Sequence, residues 1–339
     1  MTEATISTTR SGLWLVATTL VLGACSSSGE QVAGIDGSGS PTPTAIVAQG
    51  PIQGFGSIIV NDVHYDIDAA QIRVNGANVT ESELRLGQLV TVSGRIDAAT
   101  GTGAADAVVF EADVQGPVEL IDLAMGNLRV LGQDVLLGPT TVVDLDPGRM
   151  IEALSVGERV QVSGFANAEG SIAATRVASL EPSDELRVIG TVENLDPANL
   201  TFTIHDLTID YGQTLVIEDF PGGAPTNGDR VLVEAETIDS QGRLVALELE
   251  RLDRALGGEP GQEAEIEGLI TRFASTVDFD VTGTHVTTSA GTRYEGGTVS
   301  ALALSVKVQV EGRFDASGTI VAEKIEIKDG GSVAEADDD

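Results

Sequence analysis

The sequence has few of the residue types that enzymes and metal sites use most. Its 339 residues include one cysteine, three histidines and one tryptophan, and aromatic residues make up 4%. A single cysteine excludes a disulfide within the chain and a zinc site built from several thiolates. No Gly-x-Ser-x-Gly, phosphate-loop or zinc-ligand spacing accompanies the histidines. We therefore expect a protein that is not an enzyme and that binds no cofactor.

Positive charge is also scarce. The 19 lysine and arginine residues are outnumbered by 52 acidic residues, which gives a formal net charge of −33 at pH 7. A field of this sign repels phosphate backbones, so we expect no nucleic-acid partner. Divalent cations, basic partners or a saline medium fit the charge better, and a need for solubility would also explain it.

The one cysteine, Cys25, follows the only signal-like apolar stretch. Arg10 supplies a positive charge ahead of a mostly apolar run over residues 11–22, which is shorter than the ~20 residues of a spanning helix. The run Leu22-Gly23-Ala24-Cys25 resembles a bacterial lipobox, where a signal peptidase cuts before the cysteine and its thiol carries lipid. We expect residues 1–24 to be a lipoprotein signal peptide and Cys25 to be the lipidation site that anchors the protein to a membrane. The alternative is a cleaved signal followed by an incidental free thiol.

The residues after Cys25 indicate where the protein is located and how far its folded part lies from the membrane. Lipoproteins kept at the inner membrane of many Gram-negative bacteria carry Asp in the place of Ser26, so the resemblance implies the cell envelope at the outer membrane, on its periplasmic or surface face. Residues 25–49 are rich in Ser, Gly, Pro and Thr, which cannot bury a core, and we expect a flexible tether there. Residues 330–339 are expected to form an acidic tail.

Between tether and tail, one pattern recurs four times. A turn residue, usually Gly, is followed by Val at the third and fifth positions after it, and by Gly or Ala at the seventh. Alternating Val is typical of a half-buried strand, and a small residue at its end suits a bend. The four copies are Gly87-Val90-Val92-Gly94, Gly157-Val160-Val162-Gly164, Gly228-Val231-Val233-Ala235 and Ser305-Val308-Val310-Gly312.

A second marker follows each copy. A hairpin-turn glycine precedes apolar or small residues at its second, fourth and seventh following positions, and the odd step from four to seven would reverse the faces of a regular strand. We therefore predict a β-bulge or a face switch at that step. The reference glycines are Gly103, Gly170, Gly242 and Gly318.

The order of elements in each unit predicts an all-β fold. Three strands, a short connector and two strands are the order of an OB-like small barrel, so we expect four tandem barrels of about 65–75 residues. The connector of the first unit is expected to be helical, with a capping box from Thr80 to Glu83. The expected repeats are repeat 1 (50–112), repeat 2 (113–183), repeat 3 (184–254) and repeat 4 (263–329), with a linker over residues 255–262.

The repeated unit resembles a known bacterial family. Its turn and core residues, clearest in the segment from Leu154 to Gly164, are similar to domain of unknown function 5666. The resemblance covers about residues 50–329 and implies an exported protein or lipoprotein, in agreement with Cys25. It implies no catalytic residue, since the pattern consists of turn and core positions.

Carboxylate pairs at strand spacing are the remaining candidates for chemistry. Two aspartates two residues apart share one face of a strand and could hold Ca²⁺ together with backbone carbonyls, although a solvated strand face explains them equally. The histidines, His64, His205 and His285, fall at or near hairpin turns and are interpreted as surface residues. The candidate metal ligands are Asp66 and Asp68, Asp144 and Asp146, and Asp278 and Asp280.

Three hypotheses for function follow. The first is a non-enzymatic, lipid-anchored envelope protein whose acidic barrels present a binding or assembly surface to an unknown protein or polymer. The second is a Ca²⁺-dependent adhesion or matrix protein, and the third is a hydrolase with a dispersed carboxylate pair. Cys25, the tether and the repeats favour the first.

Overall fold

The computed structural model describes residues 43–97, 99–145, 148–181, 185–253 and 255–328. Four of the expectations fall outside these ranges: the signal peptide, Cys25, the acidic tail and the metal candidate Asp146. The described chain is all-β apart from three short 3₁₀ helices. None of its helices has the length and apolar character needed to cross a membrane.

The first two repeats are built from strands β1 to β12. The strands of repeat 1 are β1 (Thr44–Gly54), β2 (Ile58–Val60), β3 (Val63–Asp66), β4 (Gln71–Val74), β5 (Ala77–Val79), β6 (Leu89–Asp97) and β7 (Thr102–Phe110), with a 3₁₀ helix at Glu81–Glu83. The strands of repeat 2 are β8 (Val114–Asp122), β9 (Asn127–Val130), β10 (Gln133–Asp144), β11 (Arg159–Ala166) and β12 (Ile172–Ser179), with a 3₁₀ helix at Ile151–Ala153.

The last two repeats are built from strands β13 to β25. The strands of repeat 3 are β13 (Leu186–Thr191), β14 (Glu193–Asp196), β15 (Thr201–Ile204), β16 (Leu207–Asp210), β17 (Val216–Glu218), β18 (Arg230–Ile238) and β19 (Leu244–Leu252). The strands of repeat 4 are β20 (Glu263–Ser275), β21 (Asp278–Val281), β22 (Thr284–Thr287), β23 (Arg293–Glu295), β24 (Lys307–Phe314) and β25 (Ile320–Ile327), with a 3₁₀ helix at Val299–Ala301.

Each repeat closes into a small barrel with the OB strand order. In repeat 1 the ring runs β1–β2–β3–β7–β6 and returns to β1, and only the β3–β7 contact is parallel. Repeats 2 and 4 close in the same way through β8–β9–β10–β12–β11 and β20–β21–β22–β25–β24. In repeat 3 the first strand is interrupted at Val192, and its two parts, β13 and β14, complete the ring. The predicted fold class, four tandem OB-like barrels, is confirmed.

The alternating valines form the barrel cores. Val90 and Val92 on β6 are fully buried, and the equivalent valines of the other repeats are buried with them. The buried residues of repeats 2 and 3 make one continuous core, whereas repeats 1 and 4 have cores of their own. Burial of the whole apolar side of each strand explains why the Val spacing is so regular.

The predicted bulge occurs at the same place in all four barrels. In repeat 2, Ser163 lies opposite Arg176 and Gly164 lies opposite Ala174, which leaves Thr175 as the extra residue. Repeats 1, 3 and 4 have the same shift between their last two strands. One detail of the prediction is wrong. The turn glycine of repeat 1 is Gly101, which has φ +66°, and not Gly103, which packs against the ring of Tyr65.

Two further expectations need correction. The sequence predicts a tether over residues 25–49, but β1 begins at Thr44 because residues 44–49 pair with β6 and bury Ile46, Val47 and Ala48 in the cores. The expected helix after Thr80 is a single 3₁₀ turn. Its capping box is absent because the Thr80 side chain makes no cap hydrogen bond to the backbone and contacts the Ser82 hydroxyl instead.

The first strands of the barrels also join the repeats. In β1, Ile46 to Gln49 pair in parallel with Glu263 to Ile266 of β20, which links repeats 1 and 4. In β8, Val114 and Gln115 pair antiparallel with β13, which links repeats 2 and 3. The described barrels are therefore joined by strand pairing between repeats and not only by the chain that links them.

Candidate functional site

The few positive side chains are largely engaged by acids of the same chain. Many of these ion pairs lie on the barrel surfaces, where each contributes little stability but cancels one positive charge. What remains at the surface is an excess of carboxylates. The paired cations in the described residues are Arg129, Arg149, Arg176, Arg187, Arg243, Arg251, Arg272, Arg313, Lys307, Lys324 and Lys328.

Several carboxylates lie close together on the outer side of repeat 3. Glu234 on β18 lies directly opposite Glu248 on β19, and Glu250 on β19 lies opposite Glu218 on β17. Glu234, Glu248 and Glu250 point away from the core because Val233 and Leu249, which alternate with them, are fully buried, and Glu218 points the same way because it lies opposite Glu250. We call this surface, formed by Glu218, Glu234, Glu248 and Glu250, the acidic face.

Direct opposition of like charges is unfavourable in a sheet. The pKa of Glu250 is raised by burial and by the neighbouring carboxylates of Asp219, Glu111, Glu248 and Glu218. Burial also raises the pKa of Glu234, while the charge of Arg187 opposes the shift. The acidic face therefore holds negative charge that its own surroundings only partly compensate.

Arg187 is a buried cation that enters this face. It lies on β13 beside Glu234, is 2% exposed, and bridges the carboxylates of Glu234 and Glu111. Glu111 follows the last strand of repeat 1, so a single guanidinium connects repeats 1 and 3. A buried guanidinium needs both carboxylates, since an unpaired charge there would be costly.

A cleft of about 420 Å³ lies where repeats 2, 3 and 4 meet. Asp113 lines it, and burial raises the pKa of this carboxyl to about 6 although its Oδ2 accepts the N–H of Gly164 at 2.9 Å. Gln133 donates to the carbonyls of Leu131 and Ile204, and so joins repeats 2 and 3. Among these polar side chains, Gln133 thus joins two barrels, whereas Asp113 is bound within repeat 2.

The candidate pair Asp278 and Asp280 lies at the edge of the same cleft. Both carboxylates bind the guanidinium of Arg272, at 2.6 and 2.7 Å, and Asp280 also contacts Nδ1 of His285 at 2.9 Å. The predicted sharing of one face is correct for this pair. The guanidinium of Arg272, in the same barrel, supplies the countercharge to both carboxylates.

Three of the other candidates, Asp66, Asp68 and Asp144, lie in the described residues. The Asp66 side chain accepts the N–H of Asp68 in a turn, and Asp144 binds Arg176. In the described parts of the chain no group of three or more His, Cys, Asp or Glu residues could hold a metal ion.

The histidines occupy hairpins, as the sequence indicates. His64 contacts the Ser57 hydroxyl at an exposed site, and His205 lies in a turn with φ +50°. His205 also packs on repeat 2, because a Cβ on Gly170 would lie 2.0 Å from its Nε2.

Sequence reasoning missed the acidic face and Arg187. The spacing of Glu248 and Glu250 around the apolar Leu249 is a signal that could have indicated an acidic strand surface. Nothing in the sequence could have indicated the burial of Arg187, because its partners lie 76 and 47 residues away.

Comparison with known proteins identifies the repeats. The model of the family described as domain of unknown function (DUF5666) matches residues 47–108, 115–178, 189–250 and 267–326. No curated protein matches the chain. One similar solved structure is titled "drosophila Unr CSD456". It is 16% identical in sequence, the alignment covers 62% of this chain and 98% of the chain in that structure, and the TM-score is 0.19.

Proposed function

The chain belongs to the DUF5666 family, whose function is unknown, and from its own residues we propose that it is a non-enzymatic, lipid-anchored protein of a bacterial envelope that binds cationic partners. The proposal unites the anchor expected at Cys25 with the acidic barrels. The binding part rests on one observation, the opposed carboxylates of the acidic face.

Opposed carboxylates support binding because they cost stability in the free protein. Glu234 lies opposite Glu248, and Glu218 opposite Glu250, and each pair of like charges is unfavourable. A bound cationic group removes this repulsion and gains from the field of a chain with net charge −33. The same charges are thus a liability for folding and an advantage for binding.

The membrane part rests on the sequence around Cys25. Each acyl CH₂ buried in the bilayer contributes about 0.8 kcal/mol, and several chains together give stable anchoring. An anchored acidic array would meet its cationic partners at the membrane surface.

The binding proposal is tested with octalysine as the probe. We expect the double variant Glu248→Gln/Glu250→Gln to bind octalysine at least ~10-fold more weakly than the unaltered protein, because two carboxylates leave the acidic face. The matched control is Glu81→Gln/Glu83→Gln, which removes two exposed carboxylates of the 3₁₀ helix in repeat 1. Fluorescence anisotropy at low and at 0.5 M salt measures both, and equal loss in the two variants would contradict a specific role for this face.

The anchor is tested in the full chain expressed with its own leader. We expect Cys25→Ser to abolish incorporation of labelled palmitate and to move the protein from the membrane to the soluble fraction. Ser26→Ala is the control and should keep both properties. Unchanged labelling of Cys25→Ser would show that the lipid is elsewhere or absent.

A further inference from the structure

One strand edge of repeat 3 has no described partner. β17 pairs in parallel with β19 on one side, and none of the described strands pairs with its other side. In repeat 1 the corresponding strand, β4, pairs in parallel with β7 and antiparallel with β5. Repeat 1 therefore carries a covering strand at the place that is open in repeat 3.

The ladders show that the two strands correspond. Ile72 on β4 lies opposite Val108, and Ile217 on β17 lies opposite Leu249. Val108 and Leu249 hold the same place, since each lies opposite the second Val of its Gly-Val strand. Ile72 is 6% exposed, whereas Ile217 is 41% exposed and the preceding Leu215 is 82% exposed.

The open edge also offers backbone groups for pairing. β4 and β5 are joined by Asn75 and Gly76, both at positive φ, and such two-residue turns close on a hydrogen-bonded pair, here Val74 and Ala77. By alternation the backbone of Ile72 also faces β5. Ile217 has the place of Ile72, so its N–H and C=O face the open side of β17.

The two faces beside this edge differ in chemistry. On the outer side, Glu218 and Glu250 belong to the acidic face. On the other side, Ile217 lies opposite the buried Leu249 and exposes apolar surface next to the barrel core, and the exposed Leu215 lies just before β17, with its N–H bound to the Leu247 carbonyl. A strand added here would place alternate side chains on a negative and on an apolar surface.

We propose that the open edge of β17 binds an extended segment of a partner protein in which lysine or arginine alternates with apolar residues. The added strand takes the place that β5 takes in repeat 1. Its basic side chains meet Glu218 and Glu250, and its apolar side chains cover Leu215 and Ile217. A second copy of the same strand is disfavoured because Glu218 and Asp219 would then face each other across the new pair.

This inference rests on the proposed function and specifies its partner. Main-chain hydrogen bonds supply affinity in such strand addition, and alternate side chains supply specificity. Octalysine tests the charge of the acidic face, whereas a capped peptide of eight alternating lysines and valines tests the edge. The two parts of the proposal can therefore fail separately.

The edge is tested in the whole protein with both peptides. We expect Ile217→Pro, which removes an outward N–H, and Leu215→Ser/Ile217→Ser, which removes apolar cover, to weaken the alternating peptide at least ~10-fold. Both variants should bind octalysine as the unaltered protein does. Leu304→Ser, an exposed leucine of repeat 4, is the control and should bind both peptides normally.

Amide hydrogen exchange supplies a second measurement on the unaltered protein. We expect the amides of β17 to gain protection when the alternating peptide is added and not when octalysine is added. Equal affinity of the two peptides, or no protection at β17, would overturn strand addition but not cation binding at the acidic face. If the unaltered protein binds the alternating peptide but not octalysine, the proposed function is overturned and strand addition at β17 is not.

Discussion

The buried carboxyl of Glu265 on β20 lies where repeats 1 and 4 meet. Its residue is 6% exposed, and Oε1 accepts a hydrogen bond from the Gln309 amide at 2.6 Å. Burial raises the pKa of Glu265 to about 8, the negative charges of Glu311 and Asp62 add to the shift, and Lys324 opposes it. The pKa of the fully buried Tyr65 phenol in repeat 1 is also raised, first by burial and then by the negative charge of Glu265.

The residue scale gives a prediction about pH. The folded-state pKa of Glu265 lies above the value of about 4.5 expected when unfolded, so between about pH 4.5 and 8 the folded protein holds a proton that the unfolded chain has lost. The free energy of unfolding that this bound proton contributes at low pH is therefore lost as the pH rises from about 4.5 to about 8. We expect Glu265→Gln to reduce the loss of unfolding free energy between pH 5 and 8.5 by on the order of 4 kcal/mol.

Chemical denaturation at the two pH values measures this difference. Glu323→Gln, at an exposed position of β25, is the control and should leave the pH dependence unchanged. An equal pH dependence of Glu265→Gln and the unaltered protein would show that the buried carboxyl does not set it.

At the scale of elements, the small residue two positions after the second Val of each Gly-Val strand has a steric cause. A Cβ on Gly94, Gly164 or Gly312 would lie 2.2–2.3 Å from a carbonyl oxygen of the last strand, at the bulge. Repeat 3 has Ala235 in this place, and its ladder shifts a second time between Ala235 and Thr237. The extra shift explains how one barrel accepts a methyl group that the others exclude.

This steric difference predicts opposite responses to one methyl group. We expect Gly164→Ala to lower the free energy of unfolding by about 1–3 kcal/mol, because the partner carbonyl must move. The converse variant Ala235→Gly should cost only about 1 kcal/mol, from chain entropy and lost packing. Thermal and urea unfolding of both variants would contradict this account if Ala235→Gly were the more destabilised.

At the scale of the whole molecule, the barrels are joined by polar contacts as well as by strands. Leu89 of repeat 1 donates its N–H to the Ser163 hydroxyl of repeat 2 at 2.8 Å, and Lys307 of repeat 4 lies 5.0 Å from the ring centroid of Phe165 in repeat 2. Arg187 binds carboxylates from two repeats. Small barrels bury a modest share of their surface alone, so these junctions add stability to each.

The junction at Arg187 yields the prediction at this scale. We expect Arg187→Met to lower the free energy of unfolding by about 3–5 kcal/mol, because Glu111 and Glu234 would keep their charges without a partner. Arg73→Met, at an exposed position of β4, is the control and should change stability by less than about 0.5 kcal/mol. Similar losses in the two variants would show that the buried bridge carries no more stability than a surface arginine.

The sequence by itself determined the barrel. Period-two valines, turn glycines and the odd step after each turn fix strands, hairpins and bulges through local sterics and burial. The predicted bulge occurs in all four repeats, although the turn glycine of repeat 1 is Gly101 and not Gly103. Only the tertiary structure decided the candidate site. The pairing of β8 with β13, the burial of Arg187 and the open edge of β17 depend on residues far apart in the chain, so no local pattern could specify them.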